Sequence, residues 1–457
     1  MFAKQSPTFG TLGLIAYYTV MLVIAVLVGP FLLLKRRARY GMPQKLGFVP
    51  DSLKQKYQAT NCVRPIWFHA VSVGEFNAAL PLLKRLHEKH PEQTIVVSST
   101  TGAGHKLSQE RASQFADCIY FPYDLPWCTA NWLDALNPKL VTIVETEIWP
   151  GFVNQCKERN IPVTMVNGRM SPRSFGSYYR FRSFFGPVLR KFHLIGVQSS
   201  AEAERYTKVA GENLPLQILG NIKFDGLEPI SKSEQEELAQ KLNLAEGDLV
   251  FVVGSTHEGE ETAILNAFKK LPNPKNKRLV IAPRHPERFD KVADTIRLAG
   301  FRPRRFSENE KFEQEGNVYL LDAIGHLAKF YSVATVAFVG GTLAPIGGHN
   351  IVEPFTYSVP VITGPHLHKT KDVADALLAR KALTVVQNED ELAEQLQRLF
   401  DSPTMRNQIG QTGNEWLKES QGAVDRALSM IEETVQLDAS PTKVESTKIE
   451  SVQGDRR

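Results

Sequence analysis

The sequence lacks several features that would point to particular kinds of protein. Its four cysteines, Cys62, Cys118, Cys128 and Cys156, form no C-x-x-C pair, which argues against a disulfide framework and against a zinc site. It has no stripe of basic residues for nucleic acid, because Lys and Arg are interleaved with acids and the net charge is only +5 over 457 residues. A mildly basic chain still suits an anionic substrate or membrane surface.

What remains is the composition of a folded protein with real hydrophobic cores. Hydrophobic residues make up 42% and charged residues 23%, both ordinary values, and the length suggests two or three domains. Residues 436–457 are rich in Ser, Lys and Glu and hold few large apolar groups. They are predicted to form a disordered tail.

The N-terminal segment, residues 1–39, is predicted to be a membrane anchor with a basic flank. Leu12 to Leu34 carry no charge, a length sufficient to cross a bilayer. Four basic residues follow within 35–39, against only Lys4 before the apolar run, so the positive-inside rule puts the bulk of the chain in the cytoplasm. A signal peptide and a helix lying on the membrane surface are the alternatives, and Gly29-Pro30 is compatible with the second.

From about residue 66 onward, short apolar runs alternate with helical stretches, the pattern of βαβ units. Uninterrupted apolar runs of this kind are typical of strands buried on both faces of a parallel sheet. The clearest runs are 66–71, 94–100, 140–146, 161–167, 194–199, 249–255, 278–283, 335–341 and 359–363. We therefore predict two doubly wound Rossmann-like domains facing a cleft, residues 40–225 and 226–435.

In the first domain, carboxylates follow two of these runs. Glu75 comes where the first run turns through Gly74 into a helix, a place for either a catalytic base or a structural carboxylate in a first helical turn. Glu145 and Glu147 end the 140–146 run, and an i, i+2 pair on a strand shares one face. Such a pair needs solvent, protonation or a nearby cation.

Two segments could supply that cation: NIKFD, which contains Lys223, and VNGRMS, which contains Arg169. An ordinary structural ion-pair cluster is the alternative to a catalytic arrangement.

The second domain has loops suited to a nucleotide phosphate. Glycines and small residues follow its strands, Arg284 stands at the same rim, and Glu353 at a helix start could accept hydrogen bonds from ribose. The Gly-Lys-Ser/Thr ending of a Walker loop is absent. The small residues that could contact phosphate or substrate are Ser255, Thr256, Gly347 and Gly348.

These features together have the layout of a GT-B glycosyltransferase, with the donor nucleotide on the C-terminal domain and the acceptor activated from the N-terminal one. A nucleotide-sugar 2-epimerase shares the two-domain layout and is the alternative enzyme. A catalytically inactive, membrane-tethered nucleotide-binding module is the alternative from another class.

The order of motifs then carries a resemblance to a known family. HAVSVGE, FPYD, ETEIWP, VNGRMSPRS, GNIKFD, GSTHEGEE, APRHPERF and GGHNIVEP occur in this order. Together they resemble the bacterial 3-deoxy-D-manno-octulosonic acid (Kdo) transferases of lipid A assembly, from about Tyr40 to Met430. The resemblance implies inverting transfer of Kdo from CMP-Kdo to a lipid A precursor (lipid IVA) without a cofactor or metal. It also implies association with the lipids of the cell inner membrane.

The resemblance assigns roles to particular residues. It implies that Glu75 is the general base and that Glu145 and Lys223 stabilise the transition state. The implied CMP contacts are Pro283, Arg284, Ile324, Gly325, His326, Asn350, Ile351, Val352 and Glu353. The chain departs from the family pattern in two of these places, where Ile-Gly-His replaces Met-Gly-Glu and Asn-Ile-Val-Glu replaces Asn-Pro-Leu-Glu. The first change removes an acid at His326 and puts donor affinity or nucleotide preference in question.

Overall fold

A computed structural model gives the fold, and it describes residues 9–34, 39–60, 62–272, 274–313 and 317–437. The chain forms two compact units. The first unit runs to Ile222 and resumes at Gly422, and the second unit is Lys223–Gln421. The predicted tail and the predicted basic residues at 35–37 lie largely outside the described residues.

The first unit contains a parallel sheet of seven strands in the order β3-β2-β1-β4-β5-β6-β7. The chain builds outward from β1 to one edge and then returns to place β4 on its other side, which makes the unit doubly wound. The strands are β1 Ile66–His69, β2 Ile95–Ser99, β3 Ala116–Tyr120, β4 Leu140–Val144, β5 Val163–Gly168, β6 Leu194–Val197 and β7 Leu216–Ile218.

Three helices precede β1, and the others connect the strands. The helices are α1 Phe9–Leu34, α2 Met42–Lys45, α3 Asp51–Gln58, α4 Val73–Lys89, α5 Gly102–Ala112, α6 Pro126–Leu136, α7 Pro150–Glu158, α8 Pro172–Arg180, α9 Arg182–Leu189 and α10 Ser200–Ala210. The four-residue α11, Ile222–Asp225, begins at the last residue of this part of the unit.

Both faces of the first sheet are buried, which explains its uninterrupted apolar strands. Side chains alternate along β1, so Trp67 packs on one face with Trp132 and Phe152. Ile66 and Phe68 belong to the core on the other face. Apolar residues at every position of a strand are what a sheet covered by helices on two sides requires.

The C-terminal helix α19, Ala423–Val435, belongs to the first unit, after α12–α18 of the second. Its buried side chains, among them Leu428 and Ile431, join the core that contains Phe68. Glu432 accepts hydrogen bonds from Lys89 Nζ at 2.8 Å and from His90 Nε2 at 2.7 Å. The prediction that residues 423–435 belong to the second domain is therefore wrong, because their apolar face is buried against α4. The predicted 225/226 boundary falls close to the observed one.

The second unit also contains a seven-stranded parallel sheet, in the order β10-β11-β9-β8-β12-β13-β14. The chain again leaves the first strand of the unit in both directions, with the switch between β8 and β12. Its strands are β8 Leu249–Thr256, β9 Lys277–Pro283, β10 Arg302–Arg305, β11 Asn317–Leu320, β12 Val336–Val339, β13 Val361–Thr363 and β14 Leu383–Val385.

The helices of the second unit cover both faces of this sheet. They are α12 Lys232–Leu242, α13 Glu260–Lys269, α14 Phe289–Leu298, α15 Leu327–Phe330, α16 Lys371–Ala379, α17 Glu389–Asp401 and α18 Pro403–Ser420. Shorter 3-10 segments occupy Pro274–Asn276, Pro286–Arg288, Tyr331–Val333 and Glu353–Tyr357. Phe251 and Val253 enter one core and Val250 and Val252 the other, so β8 is buried on both sides.

The helix α1 coincides with the segment predicted to be the membrane anchor, and it packs on the first unit. The Tyr17 hydroxyl donates to Asp124 Oδ2 at 2.9 Å, and the same carboxyl group accepts the amides of Gly151 and Phe152 at the start of α7. Burial raises the pKa of Asp124 to about 6. Among the described residues, no helix combines the length and the hydropathy needed to cross a bilayer, so the predicted span is not confirmed.

Candidate active site

The first candidate site lies at the switch point of the first sheet. β1 and β4 are neighbours, and the chain leaves them toward opposite edges. In open α/β sheets a crevice forms at this point, outside the carboxyl ends of the strands. Glu75 follows β1, and Glu145 and Glu147 follow β4, so the fold brings together the three carboxylates that the sequence singles out.

Glu75 lies in the first turn of α4 and is held by its own helix start. Ser72 is the N-cap, and its Oγ accepts the Glu75 amide at 3.4 Å. The Glu75 carboxyl group accepts the Val71 amide at 2.5 Å and the Ser72 hydroxyl at 3.3 Å. Glu75 thus has the structural role of a carboxylate in a first helical turn, and the same hydrogen bonds fix its carboxyl group at the edge of the sheet.

Glu145 sits in an unusual backbone conformation just beyond β4. Its φ is 61°, in the left-handed region that non-glycine residues rarely adopt, and such positions cluster at functional sites. Its amide donates to the Val166 carbonyl at 2.9 Å, and its Oε1 accepts Asn167 Nδ2 at 3.5 Å. The expectation that Glu145 and Glu147 share one face of a strand is wrong, because β4 ends at Val144.

The three carboxyl groups influence one another electrostatically. Burial raises the pKa of Glu75, and the charge of Glu145 raises it further, while the Val71 amide opposes the change. Burial, then the charges of Glu75 and Glu145, raise the pKa of Glu147 to about 7. Near neutral pH the cluster therefore holds a proton for part of the time, because three like charges cannot all be ionised cheaply at one place.

A neutral aromatic layer lies beneath this site. His69, the last residue of β1, is fully buried, stacks on Phe121 with ring centroids 3.7 Å apart, and places Nδ1 3.0 Å from Ser98 Oγ. Burial lowers the pKa of His69 to about 3, so this imidazole adds no charge below the carboxylates. No positive charge on His69 therefore opposes the raised pKa of Glu75 and Glu147.

The structure describes the surroundings of the two predicted cations. Asn167 Oδ1 accepts the Ile222 amide at 3.2 Å, and Lys223 is the next residue along the chain, in α11. The Arg169 amide donates to Thr146 Oγ1 at 3.0 Å. Their roles toward a substrate remain predictions.

The second candidate site lies at the switch point of the second sheet, between β8 and β12. Arg284 directly follows β9, and its positive charge acts on both His349 and Glu353. Asn350 Nδ2 donates to Glu353 Oε1 at 3.0 Å, and Asn350 Oδ1 accepts the Val352 amide at 3.1 Å. Burial raises the pKa of Glu353, and the Asn350 bond and Arg284 oppose that change.

The other predicted CMP contacts differ in exposure. Pro283 ends β9, whereas Ile351 and Val352 are buried in the core and can reach a ligand only through their backbone. Ile324 is 73% exposed, and Gly325 adopts a φ of 85°.

His326, where the family pattern has an acid, packs against Phe306, with ring centroids 4.8 Å apart. The change from an acid therefore replaces a carboxylate with an imidazole held against an aromatic ring.

The carboxyl end of β8 contains an irregularity that positions its side chains. Ser255 has a φ of 57°, and the pairing with β9 shifts register between Gly254 and Thr256. Thr256 Oγ1 donates to Glu261 Oε1 at 2.7 Å. Ser255 and Thr256 thus lie at the carboxyl end of β8 as predicted, and whether they contact substrate remains a prediction.

The backbone amides of the glycine-rich loop after β12 are largely occupied. The buried carboxyl group of Glu260 accepts the amides of Gly341, Thr342, Leu343 and Ala344 at 2.7–3.2 Å, and it also accepts the His257 amide at 2.9 Å. These amides are therefore not available to bind an anion. An internal carboxyl group already takes that place.

Gly347 and Gly348 have a spatial reason to be glycine. Both have positive φ, and a Cβ on Gly347 would lie 2.4 Å from His368 Nε2. Their amides donate to the Gly341 carbonyl at 3.0 and 2.8 Å. The glycines therefore fold the loop back on itself, and a direct phosphate contact remains a prediction.

Sequence reasoning missed a histidine pair in this unit. His257 Nε2 and His349 Nε2 lie 2.7 Å apart and join the loops after β8 and β12. The available signal was the repeated histidine after the strands of this unit: His257, His285, His349, His366 and His368, five of the 11 histidines of the chain, follow β8, β9, β12 and β13. Within the described residues, no group of three or more His, Cys, Asp or Glu side chains is arranged to hold a metal ion.

Two Rossmann-type units, each with polar side chains at its switch point, define a two-domain α/β fold of the GT-B type. Comparison with known proteins agrees with this. A glycosyltransferase from Rickettsia africae superposes with a TM-score of 0.57 at 12% identity, covering 82% of this chain and 100% of that one. At that identity the likeness shows the fold alone.

The sequence relatives go further. Residues 40–226 match the family model described as 3-deoxy-D-manno-octulosonic-acid transferase. A 3-deoxy-D-manno-octulosonic acid transferase of Haemophilus influenzae is 32% identical over 91% of this chain and 97% of its own length. One from Chlamydophila psittaci is 31% identical over 90% of this chain and 94% of its own. The chain therefore belongs to the Kdo transferase family of glycosyltransferases.

Proposed function

We propose that this protein transfers Kdo from CMP-Kdo to a lipid A precursor such as lipid IVA, with inversion at the anomeric carbon and without a metal ion. The observation that carries the proposal is the placement of Glu75, Glu145 and Glu147 at the switch point of the first unit in a chain of this family. We propose that the first unit holds the acceptor and the second unit holds the donor.

Glu75 is the proposed general base. A sugar hydroxyl is a weak nucleophile until a base removes its proton. The raised pKa of Glu75 supports this role, because it makes the ionised carboxylate a stronger base than an ordinary glutamate. The Val71 amide and the Ser72 hydroxyl hold the group in place without neutralising it.

Glu145 and Lys223 are the proposed stabilisers of the transition state. The support for these roles is the position of the two residues around Asn167. The side-chain nitrogen of Asn167 donates to Glu145, and its side-chain oxygen accepts the amide of Ile222, the residue before Lys223. As the acceptor oxygen bonds to the anomeric carbon, the bond from that carbon to the phosphate oxygen of CMP breaks. The electron pair leaves with CMP, and a cation near that charge lowers the barrier.

The second unit is proposed to bind the CMP part of the donor. Arg284 suits the phosphate, because a guanidinium keeps its charge and forms paired hydrogen bonds with phosphate oxygens. The buried Glu353, oriented by Asn350, suits the ribose hydroxyls. A single phosphate can be neutralised by such side chains, and no D-x-D motif follows a strand in this sequence.

We also propose that the protein works at the cell inner membrane with its two units on the cytoplasmic side. The support is the acceptor class, since a lipid A precursor is a membrane lipid, together with the exposed apolar side chains of α1, such as Val26 and Leu27, both 65% exposed. Fractionation of cells expressing the full chain tests the location, and recovery in the soluble fraction would contradict it.

The proposal is tested by mass spectrometry of the acceptor lipid. Full-length protein in detergent with EDTA is mixed with lipid IVA and with CMP-Kdo generated in place. A gain of one or more Kdo masses is expected, and it also counts the residues added. No gain with CMP-Kdo but turnover of a uridine-diphosphate sugar would favour the alternative epimerase.

A further inference from the structure

The histidine pair of the second unit has an unusual arrangement. The rings of His257 and His349 are parallel within 3°, with centroids 5.0 Å apart and Nε2 atoms 2.7 Å apart. Because the centroid separation exceeds the nitrogen separation by about one ring width, the rings lie end to end in one plane. They share one hydrogen bond across the switch point between β8 and β12.

The loop after β12 is shaped to hold this pair. Gly341 has a φ of 70°, and a Cβ at that position would lie 3.1 Å from a His349 ring atom and 3.4 Å from a His257 ring atom. Both imidazoles are partly exposed, so a ligand at the carboxyl edge of the sheet can reach them. Neither side chain has a place in the acid and base chemistry assigned to the first unit.

The shared hydrogen bond limits the charge of the pair. One Nε2 must donate its proton and the other must accept it, so the neutral pair has one proton between the two facing nitrogens. One further proton on the outer nitrogen of the donating ring gives a singly charged pair with the same bond, because the outer nitrogen of the accepting ring already carries a proton. A second added proton would set two N–H donors against each other, so the intact pair can take up only one added proton.

Burial and the nearby cations favour the neutral form of the pair while no anion is bound, against the opposite effect of Glu260 and Glu261 on His257. Burial lowers the pKa of His257, and burial with the charge of Arg284 lowers the pKa of His349 to about 4. An anion placed beside the pair would act in the opposite direction and favour the charged form. The groups that face the two rings are Glu260, Glu261, Arg284, His285, Arg288 and Lys369.

One set of backbone amides at this edge cannot bind a donor anion. The amides of residues 341–344 are occupied by Glu260. The imidazole pair and Arg284 are polar side chains near the switch point that can meet a phosphate instead.

We propose that the His257–His349 pair binds the phosphate of the donor nucleotide together with Arg284, and that the pair takes up one proton from solvent when the phosphate binds. This rests on the proposed use of a CMP-sugar donor. When the bond to the sugar breaks, the phosphate goes from one negative charge to two. The positively charged pair therefore binds the leaving group more tightly than the donor.

The test is calorimetry of full-length protein with cytidine 5′-(methyl phosphate), a phosphodiester with one charge over the whole pH range used. Titrations at pH 6 in two non-phosphate buffers of different ionisation enthalpy, with EDTA, give the protons taken up per ligand bound. Cytidine, which has no phosphate, is the control ligand. The double variant His257→Gln/His349→Gln removes both imidazoles of the pair but keeps hydrogen-bonding side chains, and His193→Gln, at an exposed position of the first unit, is the control.

The expected uptake is about half a proton to one proton for the wild type and His193→Gln, and close to zero for the double variant and for cytidine. The association constant of the wild type should rise about two- to tenfold from pH 7 to pH 6, and that of the double variant should not change. Uptake that persists in the double variant would assign the proton to another group, such as Glu353, and overturn the proposal.

Two further outcomes distinguish a failure of this inference from a failure of the proposed function. Tight binding of the phosphodiester by the wild type with no proton uptake overturns the role of the pair and leaves the proposed donor intact. No binding of the phosphodiester or of CMP at all overturns the proposed function and this inference with it.

Discussion

Replacing Glu147 with glutamine should stabilise the protein, and the gain should grow with pH. The pKa of Glu147 rises from its ordinary value of 4.5 to about 7 because the group is partly buried beside Glu75 and Glu145. A folded pKa above the unfolded one means that the folded state binds more protons between these two values. Stability is therefore lost as the pH rises from about 4.5 to about 7, and the loss stays constant above that.

The magnitude follows from the same two values. The difference between 4.5 and about 7 corresponds to about 3.4 kcal/mol for a fully buried group. Glu147 retains some exposure, so solvent screening reduces the expected gain to about 1–2 kcal/mol at pH 8. For a unit of this size that is a rise of about 2–6 °C in the Tm.

Thermal unfolding of the wild type, Glu147→Gln and the exposed control Glu88→Gln, at pH 5 and pH 8, tests this reasoning. Glu147→Gln should match the wild type at pH 5 and exceed it at pH 8, whereas Glu88→Gln should follow the wild type at both. Equal Tm values for wild type and Glu147→Gln at pH 8 would refute the claim that burial and the neighbouring carboxylates raise the pKa of Glu147.

Three other predictions follow from particular contacts. Arg284→Lys keeps the charge but loses the planar fork, so calorimetry should show CMP affinity falling about tenfold while cytidine affinity is unchanged; equal losses for both ligands would contradict a phosphate role. Ile431→Ala should destabilise the first unit by about 2–4 kcal/mol in thermal unfolding, because it opens a cavity in a core that α19 shares; unchanged unfolding would contradict the placement of α19. Asp124→Asn weakens the acceptor of the Tyr17 hydroxyl and two amides, so protease should cut α1 faster and the Tm should fall by an amount equivalent to about 1–3 kcal/mol; an unchanged cleavage rate would contradict the docking of α1.

Much of the fold follows from runs of apolar residues. All nine runs singled out in the sequence are strands, because a strand covered on both faces carries apolar side chains at nearly every position. The strands that escaped prediction are short, lie near sheet edges or contain polar residues. β3 includes Asp117, and β10 consists of Arg302–Arg305 with a proline, a composition that suits an edge strand.

The position of α19 could not be predicted from its place in the chain. It follows the last helices of the second unit, yet its apolar face is complementary to α4 of the first. Complementarity between two helix faces depends on side-chain packing over many residues, and no local pattern in the sequence reports it.

The two candidate sites were predictable to different extents. Glu75 and Glu145 stand next to apolar strands, and a carboxylate at a strand end is visible in the sequence. The contact between His257 and His349 spans 92 residues and exists only because β8 and β12 are neighbours in the sheet. Strand order is a property of the whole unit, so the partner of a loop residue cannot be identified from the loop alone.

The measurement that tests the central claim most directly is the single-turnover rate of Kdo transfer to lipid IVA for Glu75→Gln. Glutamine can still accept the Val71 amide, so the start of α4 is retained and only the base is lost. The account predicts a rate reduced about 10²- to 10⁴-fold with CMP affinity and Tm near those of the wild type, and a normal rate for Glu88→Gln. A Glu75→Gln protein that transfers Kdo at the full rate would contradict the assignment of Glu75 as the base.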